Sequence, residues 1–218
     1  MVLGGRPDDV TAPSTPLPLP NVRARELAVS GVWLFDPPVF PDARGAFTAP
    51  FQAEVFAGTV GHRLHVAQAN TSVSRRGALR GLHYADVPPG QAKYVYCAAG
   101  ALLDAVVDLR VGSPGFGHWD AVRLDGPGFD GRAPRAISVP EGVGHAFLAL
   151  SEITVTTYLC STPYTPAAEH GVDPLDPGLA LPWTDWCPAE DLILSEKDRT
   201  APSLADALTA GILPRWSD

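Results

Sequence analysis

An all-β fold is predicted for this chain, in the form of a double-sheet barrel or jelly roll with a few short helices. Two observations support this prediction. About nine short segments rich in Val, Leu, Tyr and Thr follow one another along the chain, each bounded by Gly, Pro or Asp. The 23 Pro and 21 Gly are spread through the 218 residues, as the turns between many short strands require.

The first part of the chain predicts a tail, two strands and a helix. Residues 1–22 centre on TAPSTPLPLP, which is typical of an extended tail, so a single domain is expected over 23–218. GVWLFDPPVF (31–40) predicts a strand that enters a Pro turn. FQAEVFAG (51–58) predicts a short helix ended by its Gly, and the alternation in HRLHVAQANTSVS (62–74) predicts a half-buried strand.

The remaining segments predict further strands and one late helix. The run AKYVYCAAGALLDAVVDLR (92–110) breaks at Ala99-Gly100, which favours a tight hairpin. Ser203 is expected to cap a helix that runs through Leu208 and stops at Gly211. Strands are also predicted over GALRGLHYA (77–85), GHWDAVRL (117–124), RAISVP (135–140), HAFLAL (145–150) and TVTTYLC (154–160).

The composition limits what the chain can bind. Hydrophobic residues make up 45% and charged residues 18%, which is typical of a folded globular protein. The net charge of −8 argues against nucleic acid, whose phosphates require clustered Lys and Arg. The apolar runs are too short to span a membrane, and MVLGGRPDDV lacks the pattern of a secretory signal. We therefore expect a cytoplasmic protein without a membrane partner.

The three cysteines predict reduced thiols, because their number is odd and no CxxC pair occurs. Cys97 and Cys160 lie in apolar strand-like runs, so we expect them to pack in the core, whereas Cys187 lies outside such runs.

The densest polar cluster on a predicted strand is LRGLHY (79–84). Arg80 and His83 are three residues apart and fall on opposite faces of an ideal strand. A bulge at Gly81 is therefore needed to bring both side chains into one cavity. The alternative interpretation is a solvent-facing His and a solvated Arg.

Lys93 opens an apolar strand directly after Gln91-Ala92, where a charge requires a partner or a role. Asp104 or Asp108 on the following strand is the expected partner. The alternative interpretation is an edge Lys that guards against aggregation.

Three more segments contain candidate site residues, and each has an alternative interpretation without a function. His145, at the start of an apolar strand, is a candidate ligand-binding residue or a rim residue, and Tyr158 is a candidate acid or a core aromatic. LSEKD (194–198) is a candidate site motif or a surface charge cluster.

A cupin-type metal shell needs a His-x-His pattern, but His83 is followed by Tyr and Ala. Two lone histidines do not make such a shell, so we predict no catalytic metal.

Together these segments resemble the dTDP-4-dehydrorhamnose 3,5-epimerase family from about Val29 to Leu208. The resemblance implies a double-stranded β-helix jelly roll (cupin-like barrel), usually a homodimer, that needs neither metal nor organic cofactor. Its substrate is implied to be a dTDP-linked 4-keto-6-deoxyhexose. The motifs that carry the resemblance, in the family's order, are FPDARGAF (40–47), QANTSVS (68–74), LRGLHY (79–84), QAKYV (91–95), DAVVDLRVGSPGFGHW (104–119), VPEGVGHAF (139–147), YLCSTPYTP (158–166), DPGLALPW (176–183) and LSEKD (194–198).

The resemblance also assigns roles. His83 matches the family's general base, and Asp198 matches the carboxylate that orients this base. Lys93 matches the cation near the sugar oxygen where negative charge develops, and Tyr158 matches the acid that returns a proton from the opposite face. Positions that hold the diphosphate or the sugar are matched by Arg44, Gln68, Asn70, Arg80 and His145, and aromatics near the thymine by Phe40 and Tyr164.

The implied chemistry suits these residue types. A proton on carbon next to a ketone becomes removable when a preplaced charge stabilises the enolate oxygen. A neutral imidazole accepts that proton near neutral pH, and inversion then requires a donor on the other face. Since C3 and C5 both flank the C4 ketone, one base and one acid can serve both centres.

Three departures from the family pattern bear on the reaction. Ala49 stands where the family usually has an acid, Ala146 gives HAF where HGF is usual, and Pro174 stands where a Trp is common. With the strand YVYC (94–97), they resemble relatives in antibiotic deoxysugar pathways. Some of these invert only C3 or only C5, or act on 3-amino or 2-deoxy sugars. We therefore predict an epimerase acting at C3, C5 or both; the alternatives are a single-centre epimerase on such sugars, a non-catalytic sugar-nucleotide binder and a metal-dependent cupin enzyme.

Overall fold

A computed structural model describes residues 22–127 and 134–216, and within these ranges the chain forms thirteen strands and three α-helices. The helices are α1 (Ala53–Val60), α2 (Glu196–Arg199) and α3 (Leu204–Ala210), and single 3-10 turns cover Pro166–Ala168, Trp183–Asp185 and Ala189–Asp191. The strands are β1 (Arg23–Glu26), β2 (Trp33–Asp36), β3 (Val39–Asp42), β4 (Gly45–Thr48), β5 (Gln68–Ser74), β6 (Leu79–Ala85), β7 (Lys93–Ala99), β8 (Ala101–Asp108), β9 (Trp119–Asp125), β10 (Ala136–Val139), β11 (Val143–Ala149), β12 (Thr154–Cys160) and β13 (Glu169–Gly171).

Two antiparallel sheets pack face to face. The first has six strands in the order β1-β2-β10-β7-β12-β5, and the second has five in the order β13-β6-β11-β8-β9. Strands β3 and β4 form a separate hairpin. The predicted all-β, double-sheet jelly roll with a few short helices is confirmed.

The core lies between the sheets and is continued on both outer faces. Leu102 and Val106 of β8 face inward and pack with Val95 of the opposite sheet. Their neighbours on β8 face outward into a cluster with Trp183 from the C-terminal segment. On the other outer face, α1 packs Phe56 against the first sheet. Because both faces of the central strands are covered, every residue of β8 is buried and no polar alternation appears in its sequence.

The predicted hairpin at Ala99-Gly100 is wrong. A tight turn does occur there, with Gly100 at φ +79°, but β7 belongs to the six-stranded sheet and β8 to the five-stranded sheet. The chain thus crosses from one sheet to the other at this glycine. The residues of the turn specify a reversal of direction, whereas the pairing of the strands depends on the rest of both sheets.

The first helix ends later than predicted. α1 continues past Gly58 and is closed by Gly61, which takes the left-handed φ of +92° and donates its N–H to Ala57 O at 3.0 Å. The late helix agrees with its prediction: Ser203 accepts the N–H of Asp206 at 3.1 Å, and Gly211 closes α3.

Other local predictions have mixed outcomes. Strand β5 begins at Gln68, so the first half of the predicted strand 62–74 is not a strand. The predicted tail, 1–22, lies outside the described residues except for Val22. All three cysteines are free and buried, as the prediction of reduced thiols requires. Among the described residues, no helix is long and apolar enough to cross a membrane.

Candidate active site

A cavity of about 670 Å³ opens between the two sheets. It contains nine of the eleven predicted site residues, which arrive from both sheets and from the segment around α2. The five-stranded sheet contributes Arg80, His83, His145, Phe147 and Glu169, the six-stranded sheet contributes Gln68, Asn70, Thr71, Lys93 and Tyr158, and connecting segments with α2 contribute Gln91, Tyr164, Ser195, Lys197 and Asp198.

The predicted bulge in β6 is present. His145 of β11 pairs with His83, and Phe147 pairs with Arg80, so one residue of β11 faces two residues of β6. Gly81 has a φ of +115°, and a Cβ there would lie 2.6 Å from the carbonyl oxygen of His145. Only glycine fits this position. The extra residue turns Arg80 and His83 to the same side, so both line the cavity.

Asp198 is held beside His83 by the backbone before α2. Ile193 donates its N–H to Gly77 O at 2.8 Å and accepts the N–H of Leu79 at 2.9 Å, which fastens this segment to the start of β6. Ser195 then caps α2 by accepting the N–H of Asp198 at 3.1 Å. The carboxyl is thereby buried, so the surface-cluster interpretation of LSEKD is wrong for Asp198.

His83 and Asp198 form a hydrogen-bonded pair, with 2.7 Å between Nε2 and Oδ1. Burial raises the pKa of the Asp198 carboxyl, but hydrogen bonds with His83, Ser195 and the N–H of Gly81 outweigh it and hold this pKa below its usual value. The carboxylate therefore stays charged and accepts the Nε2 proton of the ring. In the neutral ring this leaves Nδ1 as a proton acceptor.

Lys93 lies in the middle of a sheet, since β7 is flanked by β10 and β12, and its side chain is 8% exposed. The edge-lysine interpretation is therefore wrong. The expected partners are engaged elsewhere: Asp104 contacts His145, and Asp108 pairs with Arg110 at 2.7 Å. Burial lowers the pKa of Lys93, against the opposing charges of Glu169, Cys160 and Asp104. In the described part of the chain, its ammonium forms no ion pair.

A second His–Asp pair lies next to the first. His145 Nε2 is 2.8 Å from Asp104 Oδ2, and both side chains are buried. The Oδ1 atom of Asp104 is buried and has no hydrogen-bond partner within residues 22–127 and 134–216. Burial raises the pKa of this carboxyl, and the charges of His145 and Lys93 only partly oppose the shift. In the described ranges, His, Cys, Asp and Glu form no group of three or more that could hold a metal.

Tyr158 stands on the sheet opposite His83. Its ring packs against the core between the sheets, and its side chain lines the cavity. Burial raises the pKa of its phenol, as do the charges of Cys160 and Glu169, while Arg80 lowers it. The phenol is therefore protonated near neutral pH and has a proton to give.

Gln68, Asn70 and Tyr164 form a connected group on the six-stranded side. Gln68 donates to Asn70 Oδ1 at 2.6 Å and accepts the backbone N–H of Tyr164 at 3.0 Å. Asn70 in turn donates to Cys160 Sγ at 3.5 Å. These bonds fix the exposed Tyr164 ring at the mouth of the cavity.

The structure does not bring Phe40 and Arg44 into the cavity of their own chain. Both belong to the hairpin β3–β4, where Arg44 pairs with Asp42. Phe40 is 48% exposed and Phe47 is 66% exposed, with their ring centroids 6.4 Å apart. Within the described chain, two of the eleven predicted site residues are thus separated from the other nine.

Five polar cavity residues were not predicted as site residues, namely Thr71, Gln91, Glu169, Ser195 and Lys197. Glu169 and Lys197 form an ion pair of 3.2 Å at the rim, and Gln91 donates to Thr162 O at 3.0 Å. Lys197 precedes Asp198 in LSEKD, and Gln91 lies in QAKYV, so their motifs signalled both. Glu169 lies on a three-residue strand, which is too short to show a pattern.

The comparisons with known proteins identify the family of the chain. The family model for dTDP-4-dehydrorhamnose 3,5-epimerase matches residues 26–206. A dTDP-4-dehydrorhamnose 3,5-epimerase of Mycolicibacterium smegmatis is 50% identical over 195 residues, which cover 89% of this chain and 92% of that protein. A dTDP-4-dehydrorhamnose 3-epimerase of Streptomyces niveus is 47% identical, with 90% of each chain covered.

Two solved structures extend the comparison. NovW, a 4-keto-6-deoxy sugar epimerase from the novobiocin cluster of Streptomyces spheroides, has a TM-score of 0.83 and 48% identity, covering 90% of this chain and 94% of that one. ChmJ, a 3'-monoepimerase from Streptomyces bikiniensis in complex with dTDP-quinovose, has a TM-score of 0.80 and 45% identity, covering 87% and 91%. The chain therefore belongs to the dTDP-4-dehydrorhamnose 3,5-epimerase family, and the predicted enzyme class, an isomerase, is confirmed with it.

Proposed function

We propose that this protein epimerises a dTDP-linked 4-keto-6-deoxyhexose by removing and returning protons at C3, C5 or both, next to the C4 ketone. The observation that carries the proposal is the placement of His83 and Tyr158. They rise from opposite sheets and line one cavity, so a base and an acid address a sugar ring from two sides.

Proton removal is assigned to His83. Asp198 holds the ring through Nε2, which leaves the other ring nitrogen to accept a proton from carbon. The ionised carboxylate also stabilises the imidazolium that forms. We expect the rate to fall as the solution becomes acidic, because a protonated imidazole cannot accept the proton.

Lys93 is assigned to the negative charge that develops on the C4 oxygen. Its ammonium is buried beside the cavity and forms no ion pair among the described residues, so no carboxylate contacts it directly. A preplaced charge of this kind acts strongly in a water-poor site. The developing oxyanion in turn compensates the cost of keeping Lys93 charged.

Tyr158 is assigned to the return of the proton on the opposite face. The raised pKa of its phenol keeps the proton available until the enolate forms. Proton removal from one wall and delivery from the other invert the centre.

Substrate binding is assigned to the remaining cavity residues. Arg80 and His145 offer charge and hydrogen bonds to the diphosphate and the sugar, together with Gln68 and Asn70. The exposed ring of Tyr164 at the cavity mouth is suited to stack on the thymine.

The position of Phe40 and Arg44 supports a homodimer with shared sites. Both lie on an exposed hairpin outside their own cavity, so we propose that they complete the cavity of a second copy.

A mixing experiment tests whether two copies share their sites. A Phe40→Ala/Arg44→Ala variant and a His83→Ala variant are each expected to be nearly inactive. Their mixture, unfolded and refolded together, is expected to regain activity, because one site then receives an intact hairpin. A mixture that stays inactive contradicts shared sites.

Turnover is tested with dTDP-4-keto-6-deoxyglucose in deuterated water, followed by mass spectrometry. We expect deuterium at C3, at C5 or at both, and none with His83→Ala. An absence of label with this substrate and with its 3-amino and 2-deoxy analogues would refute the proposal and favour a non-catalytic binder.

A single-centre epimerase is the second candidate. The chain is similar to proteins described as a 3-epimerase and a 3'-monoepimerase, at 47% and 45% identity. Label confined to C3 or to C5 identifies this case, whereas label at both carbons excludes it.

A further inference from the structure

Ser74 links the two walls of the cavity. It is the last residue of β5 in the six-stranded sheet, and it is 3% exposed. Its Oγ accepts the Nε–H of Arg80, which stands on the five-stranded sheet, at 3.1 Å. Arg80 is itself exposed and lines the cavity, and the bond to this buried hydroxyl is its only side-chain hydrogen bond within the described ranges.

This hydrogen bond determines which edge of the planar guanidinium group is available to a ligand. An arginine carries five N–H donors in one plane, and it can meet a phosphate either through Nε and one terminal nitrogen or through both terminal nitrogens. Because the Nε–H of Arg80 is used by Ser74, the two terminal nitrogens remain for a ligand.

We propose that Ser74 is a positioning residue for nucleotide binding: it holds Arg80 so that both terminal guanidinium nitrogens face the diphosphate. The inference rests on the proposed function, which assigns the diphosphate to this cavity. Fixing a long side chain before binding removes an entropic cost from the binding step. Loss of the hydroxyl therefore weakens diphosphate binding and leaves the proton-transfer residues in place.

The same strand supplies a matched control. Ser72 lies two residues before Ser74, so both side chains point to the same side of β5. The Oγ of Ser72 is buried and has no hydrogen-bond partner in the described part of the chain. Replacing Ser72 by Ala removes a hydroxyl from the same strand without touching Arg80.

The test measures the binding of dTDP by calorimetry and of thymidine, which lacks the diphosphate, by ligand-observed NMR. For Ser74→Ala we expect dTDP to bind about threefold to tenfold more weakly and thymidine to bind as in wild type. Ser72→Ala should bind both ligands within about twofold of wild type. In turnover, Ser74→Ala should raise KM by a similar factor and leave kcat within about twofold.

A double variant separates positioning from a general effect on the fold. In an Arg80→Ala background, Ser74→Ala should no longer change dTDP affinity, because the group it holds is absent. Ser74→Cys fills nearly the same space with a weak acceptor, and it should show the same loss as Ser74→Ala. This second variant keeps the test valid if Ser74→Ala folds poorly.

Three results overturn the inference: unchanged dTDP affinity in both Ser74 variants, an equal loss for thymidine, or a loss that persists without Arg80. A wild-type protein that binds no dTDP overturns the proposed nucleotide site as well. Normal dTDP binding by both wild type and the Ser74 variants overturns the role of Ser74 alone.

Discussion

Two His–Asp pairs stand side by side in the cavity and differ in their surroundings. His83 on β6 and His145 on β11 face each other in the sheet register, and each places Nε2 against a carboxylate, at 2.7 and 2.8 Å. Asp198 receives further hydrogen bonds from Ser195 and a backbone N–H, whereas one oxygen of Asp104 has no hydrogen-bond partner among the residues that the structure describes.

The pKa values of the two carboxyls therefore move in opposite directions. That of Asp198 falls below its usual value because its hydrogen bonds outweigh burial, and that of Asp104 rises because burial dominates. The comparison teaches that two His–Asp pairs with nearly the same distance can differ in the charge of the carboxylate. The hydrogen bonds on the far side of the carboxylate decide whether it stays ionised and can support a base.

The largest effect is expected from the two histidines. His83→Ala should lower kcat by about 10²–10⁴, since a positioned general base contributes about that much. His145→Ala should act mainly on KM, since His145 is assigned to binding. Steady-state kinetics give kcat and KM for both variants, and these values are compared with those of the wild type. Equal kcat losses would remove the distinction between the pairs.

The carboxylates should follow in the same order. Asp198→Asn is expected to lower kcat by about 10–10³, because an amide no longer stabilises the imidazolium and can favour the wrong tautomer. Asp104→Asn should lower kcat by less than about tenfold, because the partner of Asp104 is not the base. Circular dichroism of both variants serves as the folding control. A greater loss of kcat in Asp104→Asn than in Asp198→Asn would indicate that Asp104, and not Asp198, supports the base.

A smaller effect is expected from the bulge that brings the pairs together. Gly81→Ala forces a Cβ within 2.6 Å of His145 O at a φ of +115°, so β6 must shift. We expect a loss of about 1–3 kcal/mol in the free energy of unfolding, measured by urea titration. Gly58→Ala is the matched control, since a Cβ there meets nothing within 4 Å. Equal stability of both variants would show that the bulge tolerates a side chain.

The smallest effect is a pH dependence of stability. Because the folded pKa of Asp198 lies below its ordinary value of 3.8, the carboxylate stabilises the fold above that pH. This contribution is lost as the pH falls through the lowered folded pKa. The difference in unfolding free energy between wild type and Asp198→Asn, about 1 kcal/mol near neutral pH, should therefore shrink below pH 3.8. A difference that grows on acidification would contradict the lowered pKa.

Much of the site was predictable because its residues stand in compact motifs. The bulge at Gly81 followed from the spacing of Arg80 and His83 alone, since a period of two forbids both from facing one cavity. The partner of Lys93 was predicted only in part: the charge of Asp104 acts on Lys93, but this carboxylate forms its hydrogen bond with His145, and Asp108 pairs with Arg110. Only the folded sheets show that Asp104 bonds to His145 and that Lys93 is buried, which lowers the pKa of its ammonium.

The sequence by itself determined the all-β class, the family, the caps of α3 and the identities of nine cavity residues, because strand alternation, turn residues and long motifs are local signals. Only the tertiary structure decided that the chain crosses between sheets at Gly100, that Phe40 and Arg44 lie outside their own cavity, and that Ser74 holds Arg80. These features depend on which strands face each other across the core. That choice is made by the packing of the whole domain rather than by neighbouring residues.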